Sequence, residues 1–321
     1  MVPKCAKTVH GIGGRGSRWN ARSLLVNFLE SRREFLGAAL GTLAFACVRP
    51  QLDAALATPD ELQGIRQLER NTGGRLGVYA LDMQTGRQLT WRADERFAMC
   101  STFKWVLAAQ ALSRVDHAQL TLDRHVPYDS DELLEHAPAA KQHVRRGHMT
   151  IEELAQAAVV VTDNTAANLL LSELGGPAGF TEFARSLGDR TTRLDRLEPA
   201  LNGNEPGDVR DTTSPRAMVL LMNRLLCGHA LSPASQQRLI GWMAASETGK
   251  ARLRAGLPAE WTVGDKTGTG ENGACNDVAI AVPLLGRAPV LIAVYLSDGH
   301  AASGVLESAQ ADVARIIARH V

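Results

Sequence analysis

Four short stretches of this chain carry side chains able to make and break acyl bonds. Ser101-Thr102-Phe103-Lys104 places a hydroxyl and an amine one helical turn apart, on the same face of a helix. At a helix start, Ser101 would sit near the positive end of the dipole, beside unpaired backbone N–H groups. A serine needs a neighbour to take its proton, and Lys104 can serve once its ammonium is out of water. Val161-Thr162-Asp163-Asn164-Thr165 groups a hydroxyl, a carboxylate and an amide. Lys266-Thr267-Gly268-Thr269-Gly270 closes a strand-like run, with glycine where a ligand approaches the backbone and a lysine to attract an anion. Glu198 and Asn202 are four residues apart, so a helical turn would aim both at one water. Taken singly, each pattern has a plainer structural account: a solvated helix face for Ser101 and Lys104, helix capping for Asp163 and Asn164, a solvated loop acid for Glu198.

The elements that must position these groups follow from periodicity and punctuation. Thr58 caps a helix over 58–70 with Pro59 at its first position. Arg75–Asp82 and Gly86–Trp91 read as two strands of a hairpin. Helical signals then dominate. Ser101–Leu112 forms one helix, and Thr150-Ile151-Glu152-Glu153 is a capping box for another. A helix over Thr165–Leu174 stops at Gly175-Gly176-Pro177. Ser214-Pro215 and Ser232-Pro233 are further helix starts. The pattern then alternates along Trp261–Gly268, Asn276–Val282 and Val290–Ser297, before a closing helix over Gly304–His320. Strands near both ends must pair to hide their apolar faces. The expected fold is therefore α+β, a two-lobed sandwich in which one antiparallel sheet is built from both chain ends and flanked by helices. An inserted all-helical domain completes it, with a cleft between the lobes. The expected division is 58–92 with 241–321 for the sheet lobe and 93–240 for the helical lobe.

Composition bounds the reading without deciding it. The 321 residues are 45% hydrophobic with a formal net charge of +1, enough for a large core and without electrostatic reason to bind nucleic acid. Residues 1–57 read as a leader. Arg32-Arg33 precede Phe35-Leu36 and an uncharged run to Val48, a stretch suited to a signal-peptide core and too short for a membrane span of about 20 residues. The paired arginines resemble a twin-arginine export signal, and Ala55-Leu56-Ala57 offers a cleavage site. Cleavage after Ala46, leaving Cys47 first, is an alternative. Cleavage after Ala57 leaves only Cys100, Cys227 and Cys275, too few for a disulfide framework and without zinc-ligand spacing to histidine. No metal or cofactor is expected. The expectation is a periplasmic or secreted monomer, with no membrane association after cleavage.

In combination and in this order, Ser101-x-x-Lys104, Thr162-Asp163-Asn164 and Lys266-Thr267-Gly268 resemble the motif set of class A serine β-lactamases and penicillin-binding proteins. The segment from Arg193 through Glu198, Pro199 and Asn202 to Pro215 looks like the class A omega loop, and the run Asp163–Leu171 is similar to that family as well. The resemblance spans residues 58–321. It implies hydrolysis of penicillin- and cephalosporin-type β-lactams, and hence antibiotic resistance, with Ser101 as the acylated nucleophile. Backbone N–H groups of Ser101 and Thr269 would form the oxyanion hole. Lys104 and Glu198 would share the base role in acylation. Thr162 would pass a proton to the departing ring nitrogen with help from Lys266, and Asn164 would position Lys104 and the substrate amide. Glu198 with Asn202 would hold the water that frees Ser101, and an Arg196–Asp208 pair would pin the ends of the loop.

Several residues depart from the family pattern. Thr162 stands where serine is usual, keeping the hydroxyl on a β-branched side chain. His136 replaces an aromatic cleft wall, and Leu197 replaces a tryptophan beside the glutamate. Cys275 falls where many members place an arginine for the substrate carboxylate, and Arg252 resembles the alternative arginine of other members, or is a surface cation. Cys100, on the substrate side of the motif, has Gly270 opposite it, so the bridge that some members form there is absent. Three rivals remain at this level: a D,D-peptidase, a non-enzymatic β-lactam sensor and a metal-dependent hydrolase. Glu198 with Asn202 argues against the first.

Overall fold

The computed structural model describes residues 57–283 and 287–321. Apart from its last residue, Ala57, the expected leader lies outside the described residues, with its arginine pair and the alternative cleavage point after Ala46. Strand β1 (Arg75–Asp82) pairs antiparallel with β2 (Gln88–Trp91) on one side and, across the whole chain, with β9 (Val290–Ser297) on the other. Strands β8 (Cys275–Val282) and β7 (Thr262–Thr269) complete one five-stranded antiparallel sheet in the order β2-β1-β9-β8-β7. The fold is α+β, as the sequence implied.

Side chains alternate between faces along a strand, so the central β9 must be apolar on both. Val290, Ile292, Val294 and Leu296 pack on one side with β1 residues Leu76, Val78 and Ala80. Helices α1 (Pro59–Thr72) and α10 (Ser303–His320) cover that side through Ile65, Leu306, Val313 and Ile317. Leu291, Ala293 and Tyr295 face the opposite way, into the larger core shared with the helices of the middle of the chain.

At the centre of that core lies α2 (Phe103–Asp116), every residue of which from Phe103 to Leu112 is buried. A helix apolar on all sides is an interior helix, and this one is surrounded by helical neighbours. They are α4 (Ile151–Val160), α5 (Asn164–Glu173), α6 (Gly176–Ser186) and α8 (Pro233–Ala244), counting α3 (Pro138–His143) and α7 (Pro215–Met222) in chain order, with the short α9 (Leu253–Gly256) following. Two small antiparallel pairs, β3 (Phe97–Ala98) with β6 (Thr212–Thr213) and β4 (His125–Pro127) with β5 (His148–Thr150), close the loops around it.

Local signals placed most of these elements. The Thr58 and Thr150 capping boxes are formed, and Ser214 and Ser232 each cap a helix that has proline in its first turn. Gly175-Gly176-Pro177 does end α5, but the same residues open α6, because proline is suited to a first helical turn. The segment around Ser101 also differs. Cys100–Thr102 is a single 3-10 turn with Cys100 at φ +45°, and the α-helix proper begins at Phe103. Among the described residues no helix is long and apolar enough to cross a membrane.

Candidate active site

The turn holding Ser101 sits against the end of β7, and glycine makes that approach feasible. A Cβ on Gly268 would lie 2.7 Å from the Met99 carbonyl oxygen and 3.1 Å from the Ser101 nitrogen. Asn276 on β8 fastens the same turn from behind by donating to the carbonyls of Ala98 and Met99. Ser101 is thus held between the sheet and the buried helix α2.

One turn into α2, the Lys104 side chain is wholly buried, which overturns the solvated-face account of Ser-x-x-Lys. Its ammonium lies 2.9 Å from Glu198 Oε1, donates to Asn164 Oδ1 at 2.5 Å and to the Thr162 carbonyl at 2.9 Å, and reaches Thr162 Oγ1 at 3.3 Å. Ser101 Oγ donates to the same Glu198 oxygen at 3.2 Å. Burial pushes the Lys104 pKa down, against the pull of Glu198. Lys266 on β7 is equally buried, donates to Thr162 Oγ1 at 3.1 Å, and is pushed down to about 7 by desolvation and by the neighbouring Lys104. Two lysines therefore converge on one hydroxyl.

Thr162 and Asn164 come from the junction of α4 and α5. Asp163 between them is buried and accepts backbone N–H groups from Ala139, Ala140 and Ala166, capping α5 while tying in the start of α3. Thr162 itself takes φ +53°, a region that β-branched residues rarely occupy. Its side chain is committed to the two lysines by that backbone.

Glu198 has no regular element to support it. Asn168 on α5 clamps its backbone from both sides, Nδ2 donating to the Glu198 carbonyl at 2.9 Å and Oδ1 accepting its N–H at 3.0 Å. The Glu198–Pro199 peptide is cis, and a 3-10 turn over Ala200–Asn202 follows. A helical turn between Glu198 and Asn202 is thus present, with the Leu201 N–H donating to the Leu197 carbonyl and the Asn202 N–H to the Pro199 carbonyl. Across it the Asn202 amide donates to Glu198 Oε2 at 2.6 Å, leaving its own Oδ1 buried without a partner among the described residues. The expected Arg196–Asp208 pair is present, but it is the longer of two contacts that join the ends of the segment. Arg196 meets Asp208 only at 3.5 Å, whereas the wholly buried Asp211 accepts Arg196 Nε at 2.5 Å and the N–H groups of Asp195 and Arg196. Asp208 belongs mainly to Arg210, which holds its carboxyl down at about 2. A carboxylate placed to accept three donors makes the stronger clamp.

The remaining expected residues lie around this centre. Arg252 is buried rather than a surface cation: it donates to the carbonyls of Gly268 and Asn276 and to Thr269 Oγ1 at 2.7 Å, with Glu307 at 3.3 Å. Thr269 is exposed at the strand end, and the Thr267 hydroxyl is shared with Thr248 at 2.6 Å. His136 is exposed, its Nε2 3.1 Å from the Val161 carbonyl, while its own carbonyl accepts the Asn164 N–H. Cys100 does not face a ligand. It has no exposed surface, packs with Ala98 and Ala274, and would stand 2.6 Å from a Cβ on Gly270. Cys275 faces the α10 side, where Gln310 donates to its carbonyl and lies 3.4 Å from its sulfur. No disulfide joins Cys100, Cys227 and Cys275, and among the described residues no three His, Cys, Asp or Glu side chains converge to hold a metal. Sequence reasoning missed Asn168, Asp211 and Asn276 as supports. Asn168 lay inside a run already singled out, one α-helical turn beyond Asn164, and that spacing was the available signal.

Comparison with known proteins agrees with this geometry. A family model described as the β-lactamase enzyme family matches residues 62–321. A β-lactamase of Streptomyces albus G is 42% identical over 304 residues, covering 90% of this chain and 96% of that one. The carbapenem-hydrolyzing β-lactamase KPC of Klebsiella oxytoca is 48% identical over 71% of this chain and 78% of its own. Among solved structures, an ancestral class A β-lactamase superposes with a TM-score of 0.79 at 50% identity, covering 81% of this chain and 99% of that one. A putative class A β-lactamase from Rhodopseudomonas palustris gives 0.80 at 51% identity, covering 82% and 100%. This chain belongs to the β-lactamase enzyme family, in its class A.

The corrected loop clamp leads to a direct test. Asp211→Ala leaves the Arg196 guanidinium facing a partly buried gap, and is expected to destabilise the protein by about 3 kcal/mol, the usual cost of orphaning one member of such a pair. Asp208→Ala is expected to change stability far less. Urea unfolding of the two variants ranks them, and equal losses would return the clamp to Asp208.

Proposed function

We propose that this enzyme hydrolyses the β-lactam amide in two steps, through an acyl-enzyme on Ser101 and a water activated by Glu198. The observation that carries the reading is a single carboxylate oxygen, Glu198 Oε1, within 3.2 Å of Ser101 Oγ and 2.9 Å of Lys104 Nζ. In acylation, Ser101 Oγ attacks the ring carbonyl and its proton passes to the Lys104–Glu198 pair. Burial favours the neutral amine at Lys104, which suits it to this transfer. Backbone N–H groups of Ser101 and Thr269 take up the negative charge on the carbonyl oxygen, a contribution of about 10²–10³ in rate per donor. The C–N bond then breaks, and Thr162 Oγ1 hands its proton to the ring nitrogen as it takes up, from Lys104, the proton that left Ser101, while Lys266 holds the same hydroxyl. Asn164 holds Lys104 and meets the substrate amide. Arg252, at Thr269 Oγ1, supplies positive charge for the substrate carboxylate with Lys266, Thr267 and Gly268, and His136 walls the opening.

Deacylation separates a hydrolase from a peptidase, because an ester on Ser101 persists unless water is activated beside it. Glu198 takes a proton from that water, the hydroxide adds to the ester, and Ser101 leaves with the proton returned to it. The unpartnered Asn202 Oδ1 beside Glu198 is a suitable acceptor for the same water. The residues before Thr58 complete the reading as a twin-arginine leader, giving a periplasmic or secreted monomer.

The division of labour is tested by mass spectrometry. Glu198→Ala is expected to accumulate a covalent penicillin adduct on Ser101, and Ser101→Ala to form none and lose turnover. Absence of an adduct in Glu198→Ala would reject the assignment. At Thr162, serine is expected to keep or raise the acylation rate, since it retains the hydroxyl and is less strained at φ +53°. Valine keeps the shape without the hydroxyl and is expected to cut acylation by about 10²–10⁴, the range for general acid–base groups. Equal acylation by Thr and Val would remove the hydroxyl from the relay.

The depressed Lys266 gives a pH signature. The lysine is charged below its pKa and neutral above it, so its help to Thr162 and to an anionic substrate is present at low pH and lost as pH rises through about 7. The profile of kcat/KM should therefore carry an alkaline limb, and Lys266→Arg should move that limb upward, because arginine stays charged. A limb that stays in place in Lys266→Arg would assign it to another group.

A further inference from the structure

The segment that carries Glu198 is joined to the β7–β8 turn by a reciprocal pair of amides. Asn204 Nδ2 donates to the carbonyls of Glu271 and Asn272 at 3.1 and 3.2 Å. Asn272 Nδ2 donates back to the carbonyls of Gly203 and Asn204 at 3.2 and 3.1 Å. Beside them the Glu271 N–H donates to the Asn202 carbonyl at 2.9 Å. Asn204 is only 9% exposed, and its Oδ1 accepts from Ser297 Oγ on β9, so its amide links the loop to both the turn and the sheet. The Asn272 carbonyl also accepts the Asp298 N–H at 2.7 Å. Both asparagines take left-handed backbone, φ +48° and +49°, which suits asparagine better than most residues. Neither touches Ser101, Lys104 or Glu198.

The link has a direct route to the chemistry. Asn202 is the residue whose amide holds Glu198 Oε2 at 2.6 Å, and its backbone is what the turn grips. Gly270 leaves room for the same carbonyl, since a Cβ there would stand 2.7 Å from it. On the other side of Glu198, Asn168 already fixes the backbone from α5. The carboxylate is therefore steadied from the helical side by Asn168 and from the sheet side through Asn202.

We propose that Asn204 and Asn272 form a clasp that positions Asn202 against Glu198 Oε2, acting on deacylation, while Oε1, the oxygen that serves acylation, keeps its own contacts with Ser101 and Lys104. The inference rests on the reading of Glu198 as the base for the deacylating water. Loosening the clasp moves the Asn202 amide relative to the water while Ser101, Lys104 and Thr162 stay held by α2, α5 and β7. Displacements of about 1 Å at such a site cost up to about a hundredfold in rate.

Glycine is the suitable replacement at both positions, because it accepts positive φ and removes only the side-chain amide. Asn204→Gly and Asn272→Gly are each expected to lower kcat about tenfold on a penicillin while leaving kcat/KM unchanged, so that KM falls by the same factor. Acyl-enzyme should then dominate the steady state in quenched samples read by mass spectrometry. The double variant should be no slower than either single one, because the two amides form one clasp. Ser297→Ala, which leaves the loop–turn bonds intact, should lower the melting temperature without accumulating acyl-enzyme. A parallel fall in kcat and kcat/KM, or wild-type levels of acyl-enzyme in both glycine variants, would overturn the inference. Glu198→Ala run alongside separates the two claims. An adduct in that variant with none building up in the glycine variants rejects the clasp alone, whereas no adduct in Glu198→Ala rejects both.

Discussion

The site is organised around two lysine side chains held out of water. An ammonium buried in a protein interior is costly unless charge and hydrogen bonds replace its hydration. Lys104 meets this requirement with Glu198, Asn164 and the Thr162 carbonyl. Those partners come from two other stretches of chain, so satisfying one ammonium fixes the mutual positions of helix α2, the α4–α5 junction and the loop. Lys266 is satisfied less fully. It has the Thr162 hydroxyl and the Thr267 carbonyl but faces Lys104, and its pKa drops accordingly. On the proposed mechanism, the same burial that threatens stability supplies the proton chemistry.

The loop poses the opposite problem, since residues 193–211 have almost no repeating structure to satisfy their backbone. Buried polar groups in such a segment must be paired by side chains. Side chains do this: Asp211 takes the Asp195 and Arg196 N–H groups, Asn168 takes both polar groups of Glu198, and Asn204 and Asn272 exchange bonds across to the β7–β8 turn. The Glu198 carboxylate is thereby held in place without a regular element beneath it. Precision of this kind normally comes from regular elements, and here asparagine and aspartate replace them.

How much of this was legible in the sequence depended on the range of the interaction. Strands β1 and β9 and the four capped helices were placed within a few residues, because capping and alternation are local signals. The convergence of Ser101, Lys104, Thr162, Lys266 and Glu198 was legible only through a family resemblance, since each motif alone fits a plainer account. The contacts that support them were not legible. Asp211 joins Asp208 on Arg196 as the closer partner, and Asn202 donates directly to the Glu198 carboxylate. Both depend on loop backbone geometry that no periodicity encodes. Thr162 was visible as an unusual residue, but its left-handed φ was not.

The cleft end of the sheet shows how such departures are accommodated. Strand alternation sends the Cys275 side chain to the α10 side, so a thiol there contributes no charge to the cleft. Arg252 brings a guanidinium to the same end of the sheet from the preceding connection, and two strand carbonyls, Gly268 and Asn276, together with Glu307 satisfy it in the interior. Its remaining reach is toward Thr269 Oγ1, the exposed tip of β7. A guanidinium has five donors in a planar fork, so it can spend some on fixed carbonyls and still present one outward, which a lysine's compact ammonium does poorly. The position of the charge is therefore set by the carbonyls of β7 and β8.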